Sequence, residues 1–115
     1  MRRLDEITLS AKDRAAVEAA AKVPRERFPV EEVVLYGSKA RGDDRPDSDI
    51  DLLVLMDREM SWQEQQVVRD ALYDVMLEHD VLFQTIIESK SEWWDGPHTF
   101  LLIVQETAHD GVLIG

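Results

Sequence analysis

The chain has 115 residues, 44% hydrophobic and 32% charged, with no cysteine and a formal charge of −11 from 24 acidic and 13 basic side chains. That composition suits one globular domain, residues 1–115, and not a disordered segment. The missing cysteine excludes disulfides, thiolate metal sites and cysteine nucleophiles, so any metal must be a hard cation such as Mg²⁺ held by oxygen or imidazole ligands, and the acidic surface argues against broad nucleic-acid binding.

No apolar run approaches the length of a membrane span, and the start Met1-Arg2-Arg3-Leu4-Asp5-Glu6 lacks the features of a signal peptide, so the expected location is the cytoplasm. Ser10 followed by Asp13 marks a helix start, with an alanine-rich helix predicted over residues 11–23 and ended by Pro24. Residues 30–36 read as a buried strand through Val33-Val34-Leu35-Tyr36. Gly37-Ser38 opens a short turn or helix to Arg41, closed by Gly42, and a polar loop with Pro46 follows. Residues 50–56 form a second apolar strand. Ser61 and Glu64 have capping-box spacing, ahead of a helix with Val68, Leu72, Val75 and Met76 on one face. A third strand is predicted over 81–87, helix over part of 92–107 with a break at Gly96-Pro97, and a last short strand over 112–114. Helices alternating with strands in this order give an α+β fold, a small mixed β-sheet flanked by helices. The connection from Gly37 to Asp49 is too short for a crossover helix, which makes the first two strands antiparallel neighbours.

The chemistry concentrates between Gly37 and Val54. Gly37-Ser38 follows a strand at a helix start, where unpaired backbone N–H groups can hold phosphate oxygens; the bland reading is an ordinary turn. Asp49 and Asp51 alternate along a strand, so both carboxylates emerge on one face while Ile50 points into the core. Such a pair repels itself unless a cation intervenes, and a pair of Mg²⁺ ions can clamp the attacking and leaving oxygens of a phosphoryl transfer. Lys39, Arg41 and Arg45 can steady triphosphate charge or balance the local aspartates. Asp47, Asp49 and Asp51 match the first ligands of an EF-hand loop, but Leu52 stands where that loop needs glycine and Arg58 where it needs glutamate, which rejects it.

Gly37-Ser38, ten residues, then Asp49-Ile50-Asp51 resembles the signature of the polymerase-β-like nucleotidyltransferase superfamily, and Ala40-Arg41-Gly42-Asp43 and Ser48-Asp49-Ile50-Asp51-Leu52 match its surroundings. Chance gives the bare pattern on the order of once in a thousand chains of this length. The resemblance implies a polymerase-β-like core. It implies that Gly37, Ser38 and Arg41 bind the nucleotide and that Asp49 and Asp51 hold two Mg²⁺ ions. The family also places a third carboxylate on the neighbouring strand. Asp80 is the nearest acid and completes the expected catalytic and metal set, while Gln84 shares its side-chain parity and is the alternative. The short chain is similar to minimal nucleotidyltransferases. Many of these act as antitoxins and move AMP from ATP to a tyrosine of a HEPN-type toxin partner, in a hetero-oligomer. Transfer to a small-molecule hydroxyl and non-catalytic neutralisation of a partner are the alternatives. His79, His98 and His109 lack metal-ligand spacing. Trp62, Trp93 and Trp94 read as packing residues, with Trp93-Trp94 a candidate interface.

Overall fold

The computed structural model describes residues 1–114. The strands are β1 (Arg2–Arg3), β2 (Val30–Tyr36), β3 (Ile50–Met56), β4 (Phe83–Ser89) and β5 (Val112–Ile114). The helices are α1 (Ala11–Arg25), α2 (Gly37–Arg41), α3 (Trp62–His79), α4 (Lys90–Asp95) and α5 (Leu102–Asp110), with a 3₁₀ turn at Leu4–Glu6. The strands form one mixed sheet in the order β1-β5-β2-β3-β4. β2 and β3 are antiparallel, as their short connection requires. β3 and β4 are parallel, joined by a connection long enough to carry α3.

β3 reads as a continuous apolar run because it is buried on both faces. Ile50, Leu52, Val54 and Met56 pack with residues of α1 and α3, including Val17, Ala20, Val68 and Leu72. Leu53 and Leu55 point the opposite way, joining Val34 and Tyr36 of β2 against Trp93 of α4 and Val104 of α5. The sheet is thus sandwiched, with α1 and α3 on one face and α4 and α5 on the other. Among the described residues no helix is long and apolar enough to cross a membrane.

Capping sets where the helices start. The Asp13 N–H donates to Ser10 Oγ at 3.1 Å. Ser61 and Glu64 form the reciprocal capping box, each backbone N–H donating to the other's side chain at 3.2 Å. Several boundaries differ from the sequence expectation: β4 ends at Ser89 and not at residue 87, α4 starts at Lys90 and α5 runs to Asp110. α1 continues one residue past Pro24, which lies in its last turn, where its missing N–H removes a single bond. β4 begins at Phe83 and not at residue 81. Asp80 adopts a left-handed conformation (φ 54°) and the Val81 N–H still bonds the Met76 carbonyl at 3.2 Å, so Val81 belongs to the end of α3. The two-residue β1 has no periodicity to reveal it; it exists because β5 offers an edge beside it.

α2 is anchored by a buried cation. Lys39 is 2% exposed, and its Nζ donates to Asp13 Oδ2 at 2.7 Å and Asp44 Oδ2 at 3.2 Å, tying α2 to α1 and to the 43–49 loop. Burial by itself lowers the Lys39 pKa, but the bonds and charges of Asp13 and Asp44 together raise it, so the ammonium stays charged. A lysine whose folded pKa lies above its unfolded value contributes its full stabilisation below the unfolded value, hence at neutral pH, and loses it as pH rises through the folded one. Lys39→Ala leaves two acids partly buried without their cation. It is expected to cost about 3 kcal/mol in urea unfolding at pH 7, the lower end for a broken buried pair; a loss below about 1 kcal/mol, the level of an exposed pair, would show that the contact carries little.

Candidate active site

Three strands meet at the site. Tyr36 of β2, Asp51 of β3 and Gln84 of β4 are in register across the sheet. By the alternation along β3, Asp51 shares its face with Leu53 and Leu55, the face covered by α4 and α5. Ile50 is 1% exposed and lies in the opposite core, as the alternation predicts.

Gly37 follows Tyr36 directly and opens α2 with φ +76°, a conformation that L side chains rarely adopt. A Cβ added there would collide with the Asp51 carboxylate. Glycine is therefore required twice, once for the backbone turn and once for the close approach of Asp51. The motif's glycine and its second aspartate are in contact, although thirteen positions separate them in sequence. Gly42 closes α2 in a left-handed conformation, φ 81°, its N–H donating to the Ser38 carbonyl at 2.9 Å.

Asp49 lies just before β3, half-buried. The Gln84 Nε2 donates to Asp49 Oδ2 at 2.9 Å. Gln84 thus stands where a third carboxylate was expected, and Asp80 does not. Asp80 caps α3, its side chain is 98% exposed, and it pairs with Lys12 at 3.3 Å. Among the described residues no group of three or more histidine, cysteine, aspartate or glutamate side chains is placed to hold a metal ion, so the set Asp49, Asp51, Asp80 is not assembled. The reason is register. The left-handed cap leaves Asp80 in the turn, three residues short of β4, and brings Gln84 level with Asp51.

Of the three basic residues near the motif, Lys39 is consumed by its two aspartates. Arg41 is held by acids: Nε donates to Asp43 Oδ2 at 3.2 Å and Nη1 to Glu106 Oε1 at 3.1 Å, with Asp110 at 4.0 Å. The Arg45 backbone N–H donates to Ser48 Oγ at 2.9 Å, which shapes the loop before Asp49. Glu106 has no sequence signal. It lies on α5, far along the chain, and reaches the site only through helix packing.

A family model described as a nucleotidyltransferase domain matches residues 17–99, the segment that holds Gly37, Ser38, Asp49, Asp51 and Gln84. The chain belongs to this nucleotidyltransferase family. A candidate protein adenylyltransferase of Methanocaldococcus jannaschii is 34% identical over 62 residues, 54% of this chain and 63% of that relative. The match therefore spans less than two thirds of that relative's length. Solved structures are similar in fold. A candidate nucleotidyltransferase from Sulfolobus solfataricus is 22% identical at a TM-score of 0.58, covering 89% of this chain and 80% of the other. A toxin–antitoxin structure with AMP-PNP is 16% identical at 0.59, covering 90% and 71%. A mutant of the toxin–antitoxin MntA-HpeT is 15% identical at 0.58, covering 89% and 70%.

The charges of this candidate site are unbalanced. Burial first, then Asp49 and Glu106, raise the Asp51 pKa against the opposing pull of Arg41. Burial, Asp51 and Glu106 push the Tyr36 hydroxyl up to about 12, so it stays neutral across the physiological range. Two neighbouring carboxylates offer oxygen donors, the chemistry that suits a hard divalent cation. An aspartate whose folded pKa is raised favours the fold at acid pH and opposes it once pH passes the folded value. Asp51→Asn is therefore expected to melt at a higher temperature than the parent at pH 8 in chelator, with the gain vanishing near pH 3. Equal melting temperatures at pH 8 would show that the carboxylate is not strained.

Proposed function

We propose that the chain transfers AMP from ATP to a hydroxyl of a partner protein, a tyrosine of a HEPN-type toxin, and acts in the cytoplasm as the antitoxin of the pair. The observation that carries the reading is the contact of Gly37 with Asp51, which joins a backbone phosphate cradle to a carboxylate pair. The relative named for protein adenylylation supports the acceptor class, and the toxin–antitoxin neighbours in fold, one with AMP-PNP, support the nucleotide and the partner.

In this mechanism the backbone N–H groups at Gly37 and Ser38 bind the β- and γ-phosphates. Arg41 leaves part of its acid cluster to meet the phosphates bidentately. Asp49 and Asp51 would hold two Mg²⁺ ions, which would supply neutralisation of the developing charge. The acceptor oxygen attacks the α-phosphorus in line, a new P–O bond forms, the bond to pyrophosphate breaks, and the hydroxyl proton is released. Gln84 has no carboxylate to take that proton. It holds Asp49 in place and leaves proton removal to the aspartates or to solvent. Positioning and charge neutralisation supply most of the rate.

A carboxylate at position 84 is expected to restore the missing base. Gln84→Glu should raise AMP transfer about tenfold or more at pH 7, below the 10²–10⁴ range of an optimised base, while lowering the melting temperature in chelator by added repulsion. An unchanged or lower rate would mean that the amide already serves the reaction. Gln84 also supports a second reading, a subunit that neutralises its partner by contact alone. Label from the α-phosphate of ATP, followed onto proteins of a lysate containing the HEPN-type partner, separates the two. Transfer is expected with the parent and lost with Asp49→Ala, Asp51→Ala; no label with any of the four nucleotides, together with neutralisation by the double variant, would establish the binding subunit.

A further inference from the structure

A groove of about 490 Å³ opens beside Asp49, between the start of α1, the 43–49 loop, the end of α3 and the entry to β4. Asp49 is part of its wall, but Gly37, Ser38 and Asp51 are not. The groove therefore reaches Asp49 without involving Gly37 or Ser38. In an in-line displacement the acceptor must approach from the side opposite the leaving pyrophosphate.

One wall of the groove is apolar and uncovered. Tyr73 and Leu77 are four residues apart on α3, hence on one helix face, and Leu82 follows the helix. They are 56%, 65% and 67% exposed. Large apolar side chains grouped in the open beside a functional group mark a contact surface. Tyr73 is of the residue type that anchors such contacts. The facing wall is acidic. Asp47 and Asp49 have no cationic side chain within ion-pairing distance among the described residues; Asp80, at the end of the α3 wall, pairs with Lys12, which also lines the groove, at 3.3 Å. Such a wall repels a second phosphate and attracts a cationic chain.

We propose that this groove docks the acceptor, a segment of a partner protein that carries its hydroxyl between apolar and basic side chains. The apolar residues lie on the α3 wall, the basic residues face Asp47 and Asp80, and the hydroxyl is brought to Asp49. The proposal rests on the AMP-transfer reading for its chemistry, but docking is measurable without catalysis.

Two fluorescent peptides of one tyrosine between leucines, flanked by lysines in one and glutamates in the other, would be titrated by anisotropy into the parent. They would also be titrated into the variant Tyr73→Ala, Leu77→Ser, Leu82→Ser. These three side chains are exposed and outside both cores, so the variant is expected to fold. The parent should bind the lysine peptide at least tenfold more tightly than the glutamate peptide, with the preference shrinking at high salt. The variant should lose at least tenfold of that affinity while its ATP affinity is unchanged. Equal binding of the two peptides, equal binding by parent and variant, or no binding of either peptide overturns the proposal. Loss of ATP affinity in the variant also overturns it, by assigning the groove to the nucleoside. Peptide preference without AMP transfer keeps the groove and removes the transferase reading instead.

Discussion

The pairing of β3 with its two neighbours organises the molecule. β3 is antiparallel to β2 on one side and parallel to β4 on the other, and both registers are held by apolar side chains on two faces. A slip of one residue in either pairing would exchange the two faces and bury the carboxylates, which fixes the register strongly. With the register set, Tyr36, Asp51 and Gln84 form one row, and the turn after Tyr36 brings Gly37 against Asp51. The turn at Gly37 and the carboxylate pair are therefore one feature at the ends of the inner strands β2 and β3.

Electrostatics then separates the basic residues by role. Lys39 lies beside the motif yet is a structural tie, with its charge spent on Asp13 and Asp44 inside the packing of α2. Arg41 is partly exposed, and its partners Asp43, Glu106 and Asp110 hold it near the corner. Asp51 keeps an unfavourable charge that the fold does not neutralise. Local strain of this kind is common at functional sites, where stability is given up for a group poised to bind a ligand.

The position next to Asp49 shows how one side chain can alter a site without altering its shape. Gln84 donates the hydrogen bond that orients Asp49, which an ionised glutamate of the same size could not donate, and it brings no charge. The sheet brings Asp49, Asp51 and the Gln84 amide together, while Glu106 adds negative charge from the helical layer.

Much of the molecule was legible in its residues alone. Continuous apolar runs marked β2 and β3, the short link between them required antiparallel pairing, the Ser61–Glu64 box marked the start of α3, and the Gly-Ser and Asp-x-Asp spacing marked the family. Each of these signals is local, set by alternation, capping or the length of one connection. The place of Asp80 and Gln84 was not local. It depended on how α3 ends and on the parallel register of β4 against β3, which separate stretches of chain decide together. Glu106 beside Arg41, Lys39 buried between two aspartates, and the groove between α1, α3 and β4 have no sequence spacing at all. They arise where elements distant in the chain pack against each other, so only the tertiary structure could supply them.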